Sequence, residues 1–263
     1  MSWASKPLDT PASEVISVVL KGIKVESIAT ARSMLVVRQR RDWPGFADES
    51  ELKSFDHVPV MEGEEIVGVF DRESGTLMEL SEHMFMASDA SLLSFVEKAD
   101  RRKFVFLVRG SEIIGIATLS DIQKLPVYCV LFSLLMSVEM LLMEWIRKVC
   151  RKDPDKWIAY LDHREKNRIE KYWKRAQIEN VALDKLSCAT FANELAAARA
   201  LGLFSSNESV SASLEGLNRL RNLVCHGKEF ALTPGRALKI PAHVSDALTI
   251  HDELDRALKV LET

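Results

Sequence analysis

The sequence predicts two halves of different class: an α+β half made of two β-α-β-β units, followed by an all-α helical bundle. Three observations predict this. A stretch of eighteen residues recurs in the first half at an offset of 47. Alternating, strand-like patterns end at Pro126. Beyond that proline the apolar residues fall at helical spacing, and no convincing strand follows.

The repeat comes first in the chain. Residues 57–74 read HVPVMEGEEIVGVFDRES, and residues 104–121 read FVFLVRGSEIIGIATLSD. The offset places Gly63 on Gly110, Glu65 on Glu112, Ile66 on Ile113 and Gly68 on Gly115. Each copy reads as an alternating strand, a tight turn and a second strand. A helix is expected before each hairpin. In the second copy it is DASLLSFVEKA at 89–99, with a capping residue at its start and apolar residues at helical spacing. In the first it is the less regular DESELKSF at 48–55, which has the form of a capping box. Units this small must pack on each other to close a core.

The second half is read as five helices. Residues 127–150 form a long apolar helix, and 155–178 a basic amphipathic one carrying Trp157, Tyr172 and Trp173. Helices over about 184–201, 210–226 and 244–262 follow, the last after the connection TPGRALKIP. Val127–Ile146 is apolar enough to span a bilayer, but Glu139 and Glu144 lie within it, and carboxylates inside a span are costly. A buried helix is the expectation, with no membrane partner.

Composition narrows the function classes. The chain is 47% hydrophobic and 28% charged, with a net charge of −3, so it is not a basic nucleic-acid coat. Residues 147–175 nonetheless hold eleven basic and five acidic side chains, which suits either a local anionic ligand or a solvated helix face. Cys129, Cys150, Cys188 and Cys225 form no C-x-x-C pair, so neither a zinc site nor a disulfide framework is expected. The start, MSWASKPLDTPASEV, lacks the charged-then-apolar order of a secretory signal. A cytoplasmic location is the expectation.

Two constellations could carry chemistry. In G-I-A-T-L-S-D at 115–121, the Asp121 carboxylate could accept from ribose hydroxyls and the Thr118 hydroxyl could reach a phosphate. A helix starting near Ser120 would welcome an anion, although Ser120 or Asp121 could equally be simple caps. The second constellation is Leu-Arg221-Asn222-Leu-Val-Cys-His226-Gly227. Val210, Leu214, Leu217 and Val224 mark one apolar helix face, and Arg221 interrupts it. An arginine there is either paired with a buried carboxylate, Glu139 or Glu144 being the candidates, or aimed into an interface. His226 at the helix C-terminus is placed where the dipole favours imidazolium. The loose Arg-His spacing also fits Arg219 with His226 and Arg236 with His243.

The repeated units, and the second copy above all, resemble CBS domains. Two in tandem over 14–126 resemble the CBS pair, a regulatory module that binds adenine nucleotides between its copies. That resemblance implies AMP or ATP as a regulatory ligand held by Thr118 and Asp121. The first copy departs from the pattern, with Asp71 and Ser74 at the matching positions. Residues 127–263 resemble the HEPN superfamily, all-α domains bearing an Arg-x4–6-His motif. Its catalytic members are dimeric, metal-independent endoribonucleases. Carried over, His226 would move protons, Arg221 would stabilise the phosphorane and Asn222 would orient the substrate.

Together the resemblances imply a nucleotide-regulated homodimeric ribonuclease that cleaves RNA by 2′-hydroxyl attack, with roles in stress response or defence. Basic residues of 147–175 would hold the backbone of that RNA, and Trp157, Tyr172 and Trp173 could stack on its bases. The alternative is a non-catalytic adenylate sensor whose helical half dimerises or recruits a partner. The two differ in geometry. The sensor is content with Arg221 sealed against Glu139 or Glu144 and His226 facing solvent; the enzyme needs both residues in one cleft.

Overall fold

The structure is a computed structural model that describes residues 12–101, 103–203, 208–226, 231 and 233–262. The chain divides into two compact units. One comprises Lys21–Val127 together with Ala231–Pro241; the other comprises the residues through Leu20, Tyr128–Phe230 and Ala242–Thr263. The division therefore differs from a single cut at Pro126. Residues 231–241 join the α+β unit because a short helix there packs on the turn that follows the second repeat.

The first described element is helix α1 (Ala12–Gly22). In the α+β unit β1 (Thr30–Ala31) and β2 (Arg38–Gln39) lead into the first hairpin, β3 (His57–Glu62) and β4 (Glu65–Asp71). Then come β5 (Thr76–Glu79), β6 (Phe85–Ala87), helix α2 (Leu92–Lys98) and the second hairpin, β7 (Phe104–Arg109) and β8 (Glu112–Thr118). These build two four-stranded sheets, ordered β2-β3-β4-β5 and β1-β8-β7-β6.

The sheets exchange strands. β1, which precedes the first hairpin, pairs antiparallel with β8 of the second; β5, which follows the first hairpin, stays on β4. Neither hairpin completes its sheet without a flanking strand, and β1 stitches the start of the unit to its end. The 47-residue symmetry extends to detail. Both hairpins turn at a glycine with φ of +63°, Gly63 and Gly110. Both carry a register shift at matching places, between Val60 and Met61 and between Leu107 and Val108. Gly68 and Gly115 let a neighbouring strand come close. A Cβ on Gly115 would stand 2.5 Å from the Thr30 carbonyl oxygen, and one on Gly68 2.7 Å from that of Met78.

One apolar core joins the two copies through Ile66, Val69, Phe104, Phe106 and Ile116. A second core, with Phe46, Leu52, Val58, Val60 and Phe70, lies within the first copy. The two expected helices fare differently. α2 forms, capped by Ser91, whose Oγ accepts from the Ser94 N–H. The first-copy helix at 48–55 does not. It is replaced by two 3-10 turns, Gly45–Asp48 and Ser50–Ser54. At the offset of 47, Pro44 stands where Ser91 caps α2, and it brings no side-chain acceptor; Gly45 opens the turn, and glycine is a poor helix former.

The helical unit contains α3 (Leu125–Val149, from Tyr128 onward), α4 (His163–Ile178), α5 (Phe191–Ala200) and α6 (Glu208–Cys225). Helix α7 (Pro234–Ala237) belongs to the α+β unit, and α8 (Ile240–Glu262) completes the helical one from Ala242 onward. The helices expected over 155–178 and 184–201 are shorter because 3-10 turns at Lys156–Tyr160 and Leu186–Cys188 precede them. Asp162 and Thr190 then cap the true starts. α3 meets a length and composition test for crossing a membrane, yet its apolar stripe, Val130, Leu134, Val138, Leu142 and Ile146 among it, is buried within the protein.

Candidate functional site: an acidic cleft in the paired repeats

A cleft of about 820 Å³ opens in the α+β unit. That volume suits a nucleotide-sized ligand. Its walls come from both copies: Val36, His57 and Asp71 from the first, Ile116, Thr118 and Asp121 from the second. The pairing register explains the meeting. His57 and Asp71 face each other at the open end of the first hairpin, and Phe104 and Thr118 occupy the equivalent places in the second. His57 and Phe104, 47 residues apart, bring their rings to 4.5 Å between centroids, so the two hairpin ends abut.

Asp121 is buried, with 7% of its surface exposed. Its Oδ2 accepts from the Thr118 N–H at 2.6 Å and from the Thr118 hydroxyl at 3.0 Å, while Oδ1 faces Lys124 Nζ at 2.7 Å. The Thr118 hydroxyl also lies 2.7 Å from Ser120 Oγ. The structure thus brings the two expected residues together and makes them a capping box. The element they cap is a five-residue 3-10 turn, Leu119–Gln123, and not the helix expected from Ser120. A turn of that length has no helix dipole to attract an anion. A carboxylate has about four acceptor positions, and three are occupied here.

The cleft also contains residues that sequence patterns did not single out. Asp56, Glu73, Arg72 and Lys103 line it with Asp71 and Asp121, giving four carboxylates against two cations. Lys103 is bonded to Glu73, and Arg72 donates to the Lys53 carbonyl. Burial lowers the His57 imidazole below its ordinary pKa, against the pull of Asp71 at 3.9 Å. Gln123 lines the cleft, and its Nε2 is buried without an acceptor among the described residues. Nothing in one sequence marks Gln123; only the fold places its amide there.

No protein-family model matches the chain, and no curated protein aligns with it. Two solved structures do. One is the CBS domain of the bacterial CNNM/CorC family Mg2+ transporter, at 18% identity and a TM-score of 0.33, covering 46% of this chain and 84% of that one. The other is the same domain in complex with an inhibitor, at 17% identity and a TM-score of 0.32, covering 46% and 85%. This is a likeness of fold, and it says nothing about ligand or activity here.

The second constellation lies wholly in the helical unit. Leu214, Leu217 and Val224 are buried as one face of α6, and Arg221 sits in that stripe. Of its two candidate partners Glu139 is chosen: Arg221 Nη2 donates to Oε1 at 3.1 Å. Glu144 is exposed and pairs with Lys148 along α3. Glu194 on α5 is also buried, and its Oε2 has no hydrogen-bond partner among the described residues. Burial first, then the charge of Glu139, push its carboxyl up to about 8, against Arg221 and Arg147. Asn222 and His226 are both exposed, one helical turn apart at the end of α6. Gly227 lies outside the described residues.

The basic segment is less free than its composition suggests. Arg147, Lys148, Arg168, Lys174 and Arg175 each pair with a nearby carboxylate. Burial raises the Asp184 carboxyl, but hydrogen bonds from Arg147 and Ser187 prevail and hold it at about 2. Trp157 is fully buried, so it cannot stack on a base as the sequence allowed. Trp173 donates to the Leu183 carbonyl under Lys185, and Tyr172 is exposed.

Proposed function

We propose that the protein is an adenine-nucleotide sensor: the paired repeats bind AMP or ATP in the cleft at Thr118 and Asp121, and the helical unit serves dimerisation or partner recruitment. The observation that carries this reading is the cleft itself, roomy enough for a nucleotide and bearing Asp121 at its wall. Asp121 keeps one acceptor position for a ribose hydroxyl, and half-exposed Lys124 can swing away to yield another. With four carboxylates against two cations in the lining, the cleft favours the monophosphate over metal-free triphosphate. A cytoplasmic location and a homodimeric state belong to the same reading.

A second reading is metal-independent RNA cleavage at the end of α6. It is favoured by the exposure of Asn222 and His226 on one turn. Against it stands Arg221, whose guanidinium is engaged by Glu139 and so is not offered to a phosphate. Incubating the purified chain and His226→Ala with single-stranded RNA in excess chelator, with and without AMP and ATP, separates the two. The sensor reading expects intact RNA throughout; cleavage by the wild type that His226→Ala abolishes would establish the second.

A further inference from the structure

We propose that the segment Ala231–Pro241 is the readout element of the nucleotide cleft, the part of the chain that reports occupancy to the helical unit. The proposal rests on the sensor reading above and concerns how that same site is regulated. Although these residues follow α6 in the chain and run into the first two residues of α8, they belong to the α+β unit. Thr233, Ala237 and Leu238 form part of the cleft wall. Ala231 and Ala237 are buried there, whereas Leu238 is 36% exposed. The cleft keeps its volume of about 820 Å³ with the segment in place, so the segment is a wall and not a plug.

Its contact with the binding turn supplies the coupling. α7 packs on Leu119–Gln123, the 3-10 turn that the Thr118–Asp121 capping box begins. A ribose whose hydroxyls donate to Asp121 competes with the Thr118 N–H and hydroxyl, which donate to the same carboxylate and hold that turn. Gln123, the last residue of the turn, has a buried amide with no acceptor among the described residues, so the wall holds a donor that a small rearrangement can satisfy. Any shift of the turn is met by α7, in which Ala237 is buried, since packed elements transmit displacement. From there the path is covalent. Ile240 and Pro241 open α8 within the α+β unit, and the rest of α8 belongs to the helical unit.

The test uses the full chain with AMP and with ATP at concentrations that calorimetry shows to be saturating, followed by amide hydrogen exchange. Slowed exchange is expected in 242–250 of α8, within the helical unit, as well as in 116–123 and 233–241. Leu238→Asp adds a charge to an already acidic wall and should weaken AMP binding roughly fivefold or more, with Leu238→Met within about twofold of wild type. Protection confined to 116–123 and 233–241, or wild-type affinity in Leu238→Asp, would overturn the proposal while leaving the sensor reading intact. Absence of binding by either nucleotide would overturn both, and calorimetry alone shows it.

Discussion

Arg221 on α6 and Glu139 on α3 form a bidentate ion pair inside the helical unit, with Nη2 3.1 Å from Oε1 and Nε 3.4 Å from Oε2. Only 11% of the Glu139 side chain and 25% of the Arg221 side chain reach solvent. Arg221 also moderates the charge felt by buried Glu194. One arginine thus holds two helices together, offsets the Glu139 carboxylate and opposes the upward shift of Glu194.

Removing it should therefore be a stability lesion before it is anything else. Arg221→Ala leaves Glu139 desolvated and unpaired and should cost about 3 kcal/mol, read from urea unfolding. The double variant Arg221→Met with Glu139→Leu should recover most of that loss, because a buried pair replaced by apolar groups is near neutral. A single variant as stable as wild type would show that the pair contributes nothing.

Glu194 gives the unit a pH dependence of definite sign. Its carboxyl titrates at about 8 in the folded chain against an ordinary 4.5. Between those values the folded state holds a proton that the unfolded state has released, so stability from this group falls as pH rises and is lost above about 8. Glu194→Gln should flatten that slope and raise Tm at pH 9 by about 2–4 °C, the equivalent of roughly 1 kcal/mol. Parallel pH profiles for the two proteins would contradict it.

Gly115→Ala tests the strand exchange. The added Cβ would meet the Thr30 carbonyl oxygen at 2.5 Å, and that oxygen is backbone held in β1. Displacing β1 from β8 should destabilise the α+β unit by about 2 kcal/mol or more. Unfolding within about 0.5 kcal/mol of wild type would show that β1 yields freely.

His226→Ala should leave stability within about 0.5 kcal/mol of wild type, because the side chain is exposed at the end of α6. A larger loss in thermal melts would reveal a packing role that its exposure does not suggest.

Much of this architecture was legible in the sequence. The 47-residue repeat marked both hairpins and their glycine turns, since strand pairing is read from alternation and turn chemistry; that Thr118 and Asp121 bond each other came from the structure. The off-pattern Arg221 pointed to either a buried carboxylate or an interface, and the structure pairs it with Glu139 rather than Glu144. What stayed hidden was non-local. β1, β2 and β6 are two- and three-residue strands too short to show a period. Nothing in TPGRALKIP says that it packs on a turn more than a hundred residues earlier. The orphan amide of Gln123 and the neutral burial of Glu194 arise from tertiary surroundings, and no local pattern encodes them.

The central claim is tested most directly by titrating AMP, and separately metal-free ATP, into the wild type and Asp121→Ala by calorimetry. The account predicts saturable binding of AMP by the wild type, weaker binding of metal-free ATP, and a loss of roughly tenfold or more in AMP affinity for Asp121→Ala. No heat from either nucleotide, or full affinity in Asp121→Ala, would contradict it.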